Sequence, residues 1–531
     1  MTVKTVELEE KIKQRRTAAI IAHPDAGKTT LTEKLLLYSG AIHRAGSIKA
    51  RKADRHATSD WMDMEQERGI SITSSVMQFE YDKKKINLLD TPGHADFSAD
   101  TYRTLVAADS AVIVIDGTSG VEKQTRKLFK FCRRHEIPFF MFINKMDRYG
   151  IAPLDLMEEI EEELGITLYP CNWPIGRGKN FKGIYDRKEG VGKIFEQSGK
   201  HGQERLDYET YNIEAPELGE RIGEELHEKI QEEVELLEIA GDPFDEEQFL
   251  RGQMVPMFFG SAQTNFGVRS FLEGFVNLAP PPRKRGGVEP ESQDFSGYIF
   301  KIQANMDPNH RDRLAFMRVC SGVFEKGMKA KITRNNEEIK LAQPRQFMAQ
   351  EREITEKAYP GDVIGLFDPG IFHIGDSLSA GEAVEFNEVP RFSPEHFARI
   401  KTEDAFKKKH LRKGLNELSE EGAVQVFKPW KHGRRGDIVG VVGQLQLEVL
   451  QYRLEEEYGV ETQLEQLPFN HARWIEGEEL DLEGFNRGSY RKLLRDKDGY
   501  PLLLFKSELT LNRDKRNHPE VEFKDTAPLH R

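Results

Sequence analysis

The stretch AHPDAGKTT at residues 22–30 constrains this chain more than any other, because it follows directly on the apolar run Ala18–Ala22. Gly27, Lys28 and Thr29 match the P-loop pattern, with Ala22 where glycine is usual. Such a loop functions only when its backbone N–H groups converge on phosphate oxygens, with a strand before it and a helix dipole behind it. Lys28 then adds a point charge near the β and γ phosphates, and the Thr29 hydroxyl can bind Mg²⁺. His23, Pro24, Asp25, Ala26 and Thr30 complete the candidate cradle. Alone, GKT is a weak signal that occurs by chance; its flanks restrict the chain to a sheet covered by helices.

Further apolar runs at Ile86–Leu89, Ala111–Ile115, Pro138–Ile143 and Val255–Phe259 read as strands of the same parallel sheet. Three more motifs sit at the ends of such runs. Asp90-Thr91-Pro92-Gly93-His94 suits a tight turn, and equally an aspartate that holds Mg²⁺ through water with Gly93 N–H facing a γ-phosphate. Asn144-Lys145-Met146-Asp147 suits a helix N-cap, and equally a carboxylate that accepts the N1–H and N2–H₂ donors of guanine. Adenine offers no such pair, so Asp147 would select GTP. Gly260-Ser261-Ala262 can present N–H groups to the guanine O6. Four motifs in this order, each at a strand's C-terminal end, define a guanine-nucleotide-binding domain.

More than 100 residues separate the fourth and fifth runs, far beyond the usual connection. Residues 151–250 hold 26 acidic against 10 basic side chains, whereas the whole chain is at −12, so the remainder is slightly positive. Leu218, Ile222, Leu226, Ile230, Val234 and Leu237 mark one helix with an apolar stripe and an acidic outer face. The segment reads as an inserted subdomain; a disordered acidic loop is the alternative. The linker APPPRKRGG at 279–287 marks a boundary. Beyond it, β-favouring runs from Phe295 to Ala380 predict an antiparallel barrel, and the stripe Leu447, Leu450, Leu454, Tyr458 after Ile438–Val442 predicts an α+β domain. The expected division is a P-loop GTPase domain at 1–283 with its insert at about 151–250, a β-barrel at 290–384 and an α+β domain at 385–531. This is a multidomain α/β chain.

Composition excludes several classes. With 38% hydrophobic and 31% charged residues the chain is globular, not fibrous or disordered. No apolar run reaches membrane-spanning length, and the charged N-terminus MTVKTVELEEKIKQRR lacks the apolar stretch of a secretory signal. Cys132, Cys171 and Cys320 are isolated and read as buried thiols in a reducing cytoplasm. The basic clusters Lys407-Lys408-Lys409 with Arg412-Lys413, and Lys428 to Arg435, suit either RNA phosphates or a solvated charged face.

Taken as strings, AHPDAGKTT, WMDMEQERGISIT (61–73) and DTPGHADF (90–97) resemble the translational GTPases, closest to elongation factor G and its relatives. FSGYIFKIQAN, PGDVIGL and IGDSL resemble the second-domain barrel of these factors, and VVGQLQLEVLQYRLEEEYGVE their third domain. The resemblance implies that Ser71, where most relatives have threonine, binds Mg²⁺ with Thr29 and Asp90 in the GTP state. It implies also that His94 orients the attacking water, and that a loop from about Arg44 to Ser75 orders around the γ-phosphate. From Glu385 onward 147 residues remain, room for one domain but not for the further two of elongation factor G. Pro24, Ser71 and DTYRTL (100–105) are similar to the bacterial peptide chain release factor 3 family. That implies a cytoplasmic, monomeric, ribosome-dependent GTPase with GTP/GDP and Mg²⁺ as cofactors. It would promote departure of class I release factors, directly or indirectly. An elongation-factor-G-like ribosomal protection GTPase and a nucleotide-binding scaffold without turnover are the alternatives; NKMD and the two trailing domains disfavour a small-molecule kinase.

Overall fold

In a computed structural model the described residues are 3–42, 65, 71–196, 204–304, 313–342, 344–348, 351–386, 389, 392–430, 436–477, 480, 482–485 and 490–527. Most of the 44–75 loop, the 61–70 part of the switch-like stretch apart from Glu65, and Lys431 to Arg435 therefore lie outside them.

The apolar runs become strands Arg15–Ala22, Lys84–Asp90, Ser110–Asp116, Phe139–Asn144 and Met254–Phe259, all mutually parallel. Alternation along each strand sends neighbours to opposite faces. Ala19, Ile21, Ile113 and Met141 enter one core, whereas Ala18, Ile20, Val112 and Phe140 enter the other. Helices cover both: Lys123–Arg134 and Pro153–Leu164 on the first face, Lys28–Ser39 and Val268–Leu278 on the second. An antiparallel strand, Ser75–Tyr81, flanks the sheet at one side and the parallel strand Thr167–Pro170 closes the other. Both are too short and mixed to be separated from loop by pattern alone.

Residues 172–212 form a four-stranded antiparallel sheet, Asn172–Ile175, Gly183–Asp186, Val191–Phe195 and Tyr208–Asn212. The acidic stripe that follows is not one helix. It breaks into Pro216–Ile222 and Glu224–Ala240 at Gly223, whose φ of 97° is open to glycine at no steric cost. Leu218, Ile230 and Leu237 are nevertheless buried, in the same cluster as Trp173, Ile143 and Phe259. The insert therefore shares its core with the nucleotide-binding sheet instead of building its own.

The second region is an antiparallel barrel-like sheet around Ile299, Met317, Phe324, Ile332 and Ile364. Buried ion pairs dock it: Arg15 Nε lies 2.9 Å from Asp362, and Arg318 pairs with Asp109. The third region starts with His396–Lys401, Lys408–Glu420, Gln425–Pro429, Asp437–Val441, Leu445–Tyr458 and Gln463–Leu467, a βαββαβ unit with its first strand between the fourth and third. Lys428 and Pro429 then pair with Arg495 and Leu494, extending the sheet to eight strands. Cys132 and Cys320 are buried, and Cys171 is half-buried.

Candidate functional site

Strand register sets the motifs side by side. Ile20 is opposite Asp90, Ala22 opposite Val114, and Asp116 opposite Asn144, so the loops that follow emerge at one edge of the sheet. Gly27 caps the helix Lys28–Ser39 with a φ of 96°, and a Cβ there would lie 2.2 Å from Asn144 Nδ2. Glycine is required twice over, by backbone angle and by space. Asp25 also takes a positive φ, 64°, which an aspartate tolerates in a tight turn. His23 C=O accepts from Ala26 N–H, and His23 Nε2 lies 3.3 Å from Glu122. Pro24 packs within 3.5 Å of where a Cβ on Gly93 would sit, so the two loops abut.

Asp90 is buried beneath the loop, its Oδ1 accepting from Lys28 Nζ at 2.5 Å and from Thr32 Oγ1 at 3.3 Å. Thr29 Oγ1 stands 3.5 Å from Ser71 Oγ, and Thr30 continues the helix. Thr91 Oγ1 donates to Ile20 C=O, and Pro92 C=O accepts from Thr101 Oγ1. His94 is more than a third exposed; its Nδ1 accepts from Asp96 N–H at 3.2 Å and lies 3.4 Å from Asp96 Oδ1.

Asn144 joins two motifs. Its Nδ2 donates to Ala26 C=O at 2.8 Å and its Oδ1 accepts from Ala262 N–H at 2.9 Å, tying the phosphate loop to the 260–262 loop. Asp147 Oδ1 accepts from Ser261 Oγ at 2.7 Å, and Met146 N–H donates to Gly260 C=O. Asn144 ends a strand and caps no helix, which disposes of the N-cap reading of NKMD.

Lys145 reaches across to Asp116 at 2.5 Å. Burial pushes the Asp116 carboxyl up, but hydrogen bonds from Lys145 and Thr118 outweigh it and hold it below the usual range. Sequence reasoning missed Asp116, although a carboxylate closing the apolar run Ser110–Asp116 was a signal for it. It also missed Asp96, Asp100 and Lys301. Asp100 Oδ2 accepts from Ser74 N–H and Oγ, while Lys301, from the second region, donates to Ser74 C=O. The backbone three residues after Ser71 is thus held by two regions of the chain. No signal in the sequence pairs residues so far apart.

Comparison with known proteins agrees with this geometry. Residues 13–281 match the model of the elongation factor Tu GTP binding domain, and residues 294–381 that of elongation factor G domain 2. Fold and site together define a translational GTPase. Residues 386–515 match the class II release factor RF3 C-terminal domain. The chain is 55% identical to a peptide chain release factor 3 of Symbiobacterium thermophilum across 98% of its own length and 99% of the relative's. A protein of the same description from Acaryochloris marina is 51% identical over 98% and 97%. The chain belongs to the peptide chain release factor 3 family, GTP-hydrolysing factors that recycle class I release factors in termination. A crystal structure from Thermus thermophilus aligns with TM-score 0.70 at 23% identity, covering 91% of this chain and 72% of that one, which shows a shared fold.

Proposed function

We propose that the loops gathered by Asn144 form one guanine-nucleotide site whose hydrolytic cycle is stimulated by the ribosome. The observation that carries this is the pair of Asn144 hydrogen bonds, to the phosphate loop and to the 260–262 loop. In this reading residues 22–30 cradle the phosphates of GTP or GDP, with Lys28 offering its ammonium to the β and γ phosphates in exchange for Asp90. The free oxygen of Asp147 accepts from guanine while its partner oxygen is fixed by Ser261, and Ala262 lies where backbone N–H groups meet the base. Gly93 N–H faces the γ-phosphate. His94, exposed and held by Asp96 N–H, orients the attacking water. It acts by position more than by basicity, because phosphoryl transfer asks mainly for alignment and electrostatic support.

Two hydroxyls 3.5 Å apart, Thr29 and Ser71, with the Asp90 carboxylate beneath the same loop, are hard oxygen donors that fit Mg²⁺. When bound there the ion would neutralise phosphate charge. Among the described residues no cluster of three His, Cys, Asp or Glu side chains could hold a metal, as expected where hydroxyls, phosphates and water supply most of the ligands.

The working unit is a monomer divided near 1–283, 290–384 and 385–531, acting in the cytoplasm on ribosomal RNA and proteins. Class I release factors leave through direct contact or through a change in the ribosome. No helix among the described residues is long and apolar enough to cross a membrane. A purified termination assay is the test: with GTP, the protein should let a substoichiometric amount of class I factor turn over on many ribosomes. Release-factor turnover unaffected by the protein contradicts the proposal.

A further inference from the structure

Phe406 is 92% exposed, more than any other large apolar side chain among the described residues. It does not sit on a loose loop. Asp404 Oδ1 accepts from Phe406 N–H at 2.8 Å, and Asp404 C=O accepts from Lys407 N–H, closing a tight turn. That turn runs without a break into the helix Lys408–Glu420, which is anchored by buried Leu411, Leu415 and Leu418. The ring is therefore displayed from a fixed base, at the head of a helix whose apolar face is already used.

Next to it in sequence, through the first turns of that helix, come Lys407, Lys408, Lys409 and Arg412, of which the last three are exposed, whereas Lys407 Nζ lies 3.6 Å from where a Cβ on Gly459 would sit. Among the described residues none of the four has a carboxylate within ion-pair distance; only Lys413, one position on, leans toward Glu417 at 3.6 Å. Exposed cations without carboxylate partners on one helix end, in a chain at −12 overall, call for an anionic partner. An exposed flat aromatic face next to them calls for something to stack on. Phosphates alone answer the first demand, and duplex RNA offers them with its bases enclosed. An unpaired nucleotide answers both, through its phosphates and its splayed base.

We propose that Phe406 is a stacking platform for an unpaired base of ribosomal RNA, with Lys408, Lys409 and Arg412 gripping the flanking phosphates. This rests on the ribosome-dependent reading above and names the chemistry of one contact within it.

The test uses the full-length protein with a photo-crosslinking benzoyl-phenylalanine at position 406, on purified ribosomes with a non-hydrolysable GTP analogue. The expected product is a crosslink to an unpaired ribosomal RNA nucleotide, mapped by primer extension. In parallel, Phe406→Ala should weaken ribosome binding about 5- to 100-fold, and Phe406→Trp should retain it. The salt dependence of Phe406→Ala binding should match that of the parent. Combined replacement of Lys408, Lys409 and Arg412 by alanine should instead flatten the logarithmic salt slope by about 2. None of these changes should alter GTP affinity without ribosomes. A crosslink confined to ribosomal protein or to paired RNA, or unchanged affinity of Phe406→Ala, overturns the proposal while leaving ribosome stimulation intact. Loss of all ribosome stimulation in the parent protein would instead count against the function proposed above.

Discussion

Asp96 Oδ2 accepts a hydrogen bond from the backbone N–H of Leu445 at 2.7 Å, across 349 residues of sequence. Asp96 is two residues beyond His94, and Leu445 begins a helix of the third region. The approach is close: a Cβ on Gly443 would lie 2.1 Å from Asp96 Cγ. Beside it Ile72, Phe97 and Val449 form a separate buried cluster, with Leu445 and Tyr452 packed against it. The residue after Ser71 and the segment after His94 thus share one small core with the third region. Displacing either segment must disturb that core, which gives the nucleotide site a mechanical link to the far end of the chain.

Asp96→Ala should uncouple the two. A charge-assisted hydrogen bond of this kind contributes about 1.5–3 kcal/mol, so ribosome-stimulated hydrolysis should fall by about tenfold or more. GTP affinity in the absence of ribosomes should stay within about threefold, because Asp96 touches neither the phosphate loop nor the base loop. Single-turnover hydrolysis on ribosomes measures the first and equilibrium titration the second. An equal loss in both would place Asp96 in the nucleotide site itself.

His94→Ala should leave nucleotide binding unchanged and reduce ribosome-stimulated turnover by about 10²–10⁴-fold, the range for removal of a positioned catalytic group. Stopped-flow release of phosphate on ribosomes reads the outcome. Stimulated turnover at the parental rate would show that His94 does no more than receive the Asp96 N–H.

In the proposed site, guanine is selected by the Asp147 oxygen not committed to Ser261. Asp147→Asn replaces an acceptor by a donor that faces the N2–H₂ of guanine and complements the O2 of xanthine. GTP affinity should drop by about two orders of magnitude or more, with XTP now preferred. Competition binding with both nucleotides decides it; retained GTP preference would remove Asp147 from the base site.

Much of the candidate site was legible because each of its motifs is local. Lys28, Asp90, Asn144 and Asp147 lie within short strings at the ends of apolar runs, and the parallel register brings those ends together. What was not legible depends on contacts between regions. Lys301 on Ser74 and Leu445 on Asp96 join segments hundreds of residues apart, and although Asp96, Lys301 and Leu445 fall within family-like strings, nothing in those strings says which residue meets which. The acidic stripe misled for another reason: spacing of three and four continues through Gly223, although its backbone angle ends one helix and starts the next. Strand Ser75–Tyr81 was hidden by the polar residues Ser75, Gln78 and Glu80. The Nε2 of buried Gln78 donates to Asn87 Oδ1 and to Val363 C=O of the second region.

Docking of the second region should be acid-sensitive through Asp362. This carboxyl is fully buried, 2.9 Å from Arg15 Nε and 3.6 Å from Lys85 Nζ, and accepts also from Tyr359 N–H. Burial alone pushes it up; Arg15 and Lys85 outweigh burial and hold it below its ordinary value of 3.8. A carboxyl with a depressed folded value stabilises fully above the unfolded value and loses that contribution as pH falls through the folded one. Asp362→Ala leaves Arg15 buried without its partner, so near neutral pH it should destabilise by about 3–5 kcal/mol. Thermal melting of both proteins from about pH 7 down to about pH 3 separates this from a general acid effect. The parent should lose stability toward the variant as Asp362 takes up its proton, so the two curves converge below about pH 4. A gap that stays constant across that range would mean that the Arg15–Asp362 pair is not what fixes the second region to the nucleotide-binding sheet.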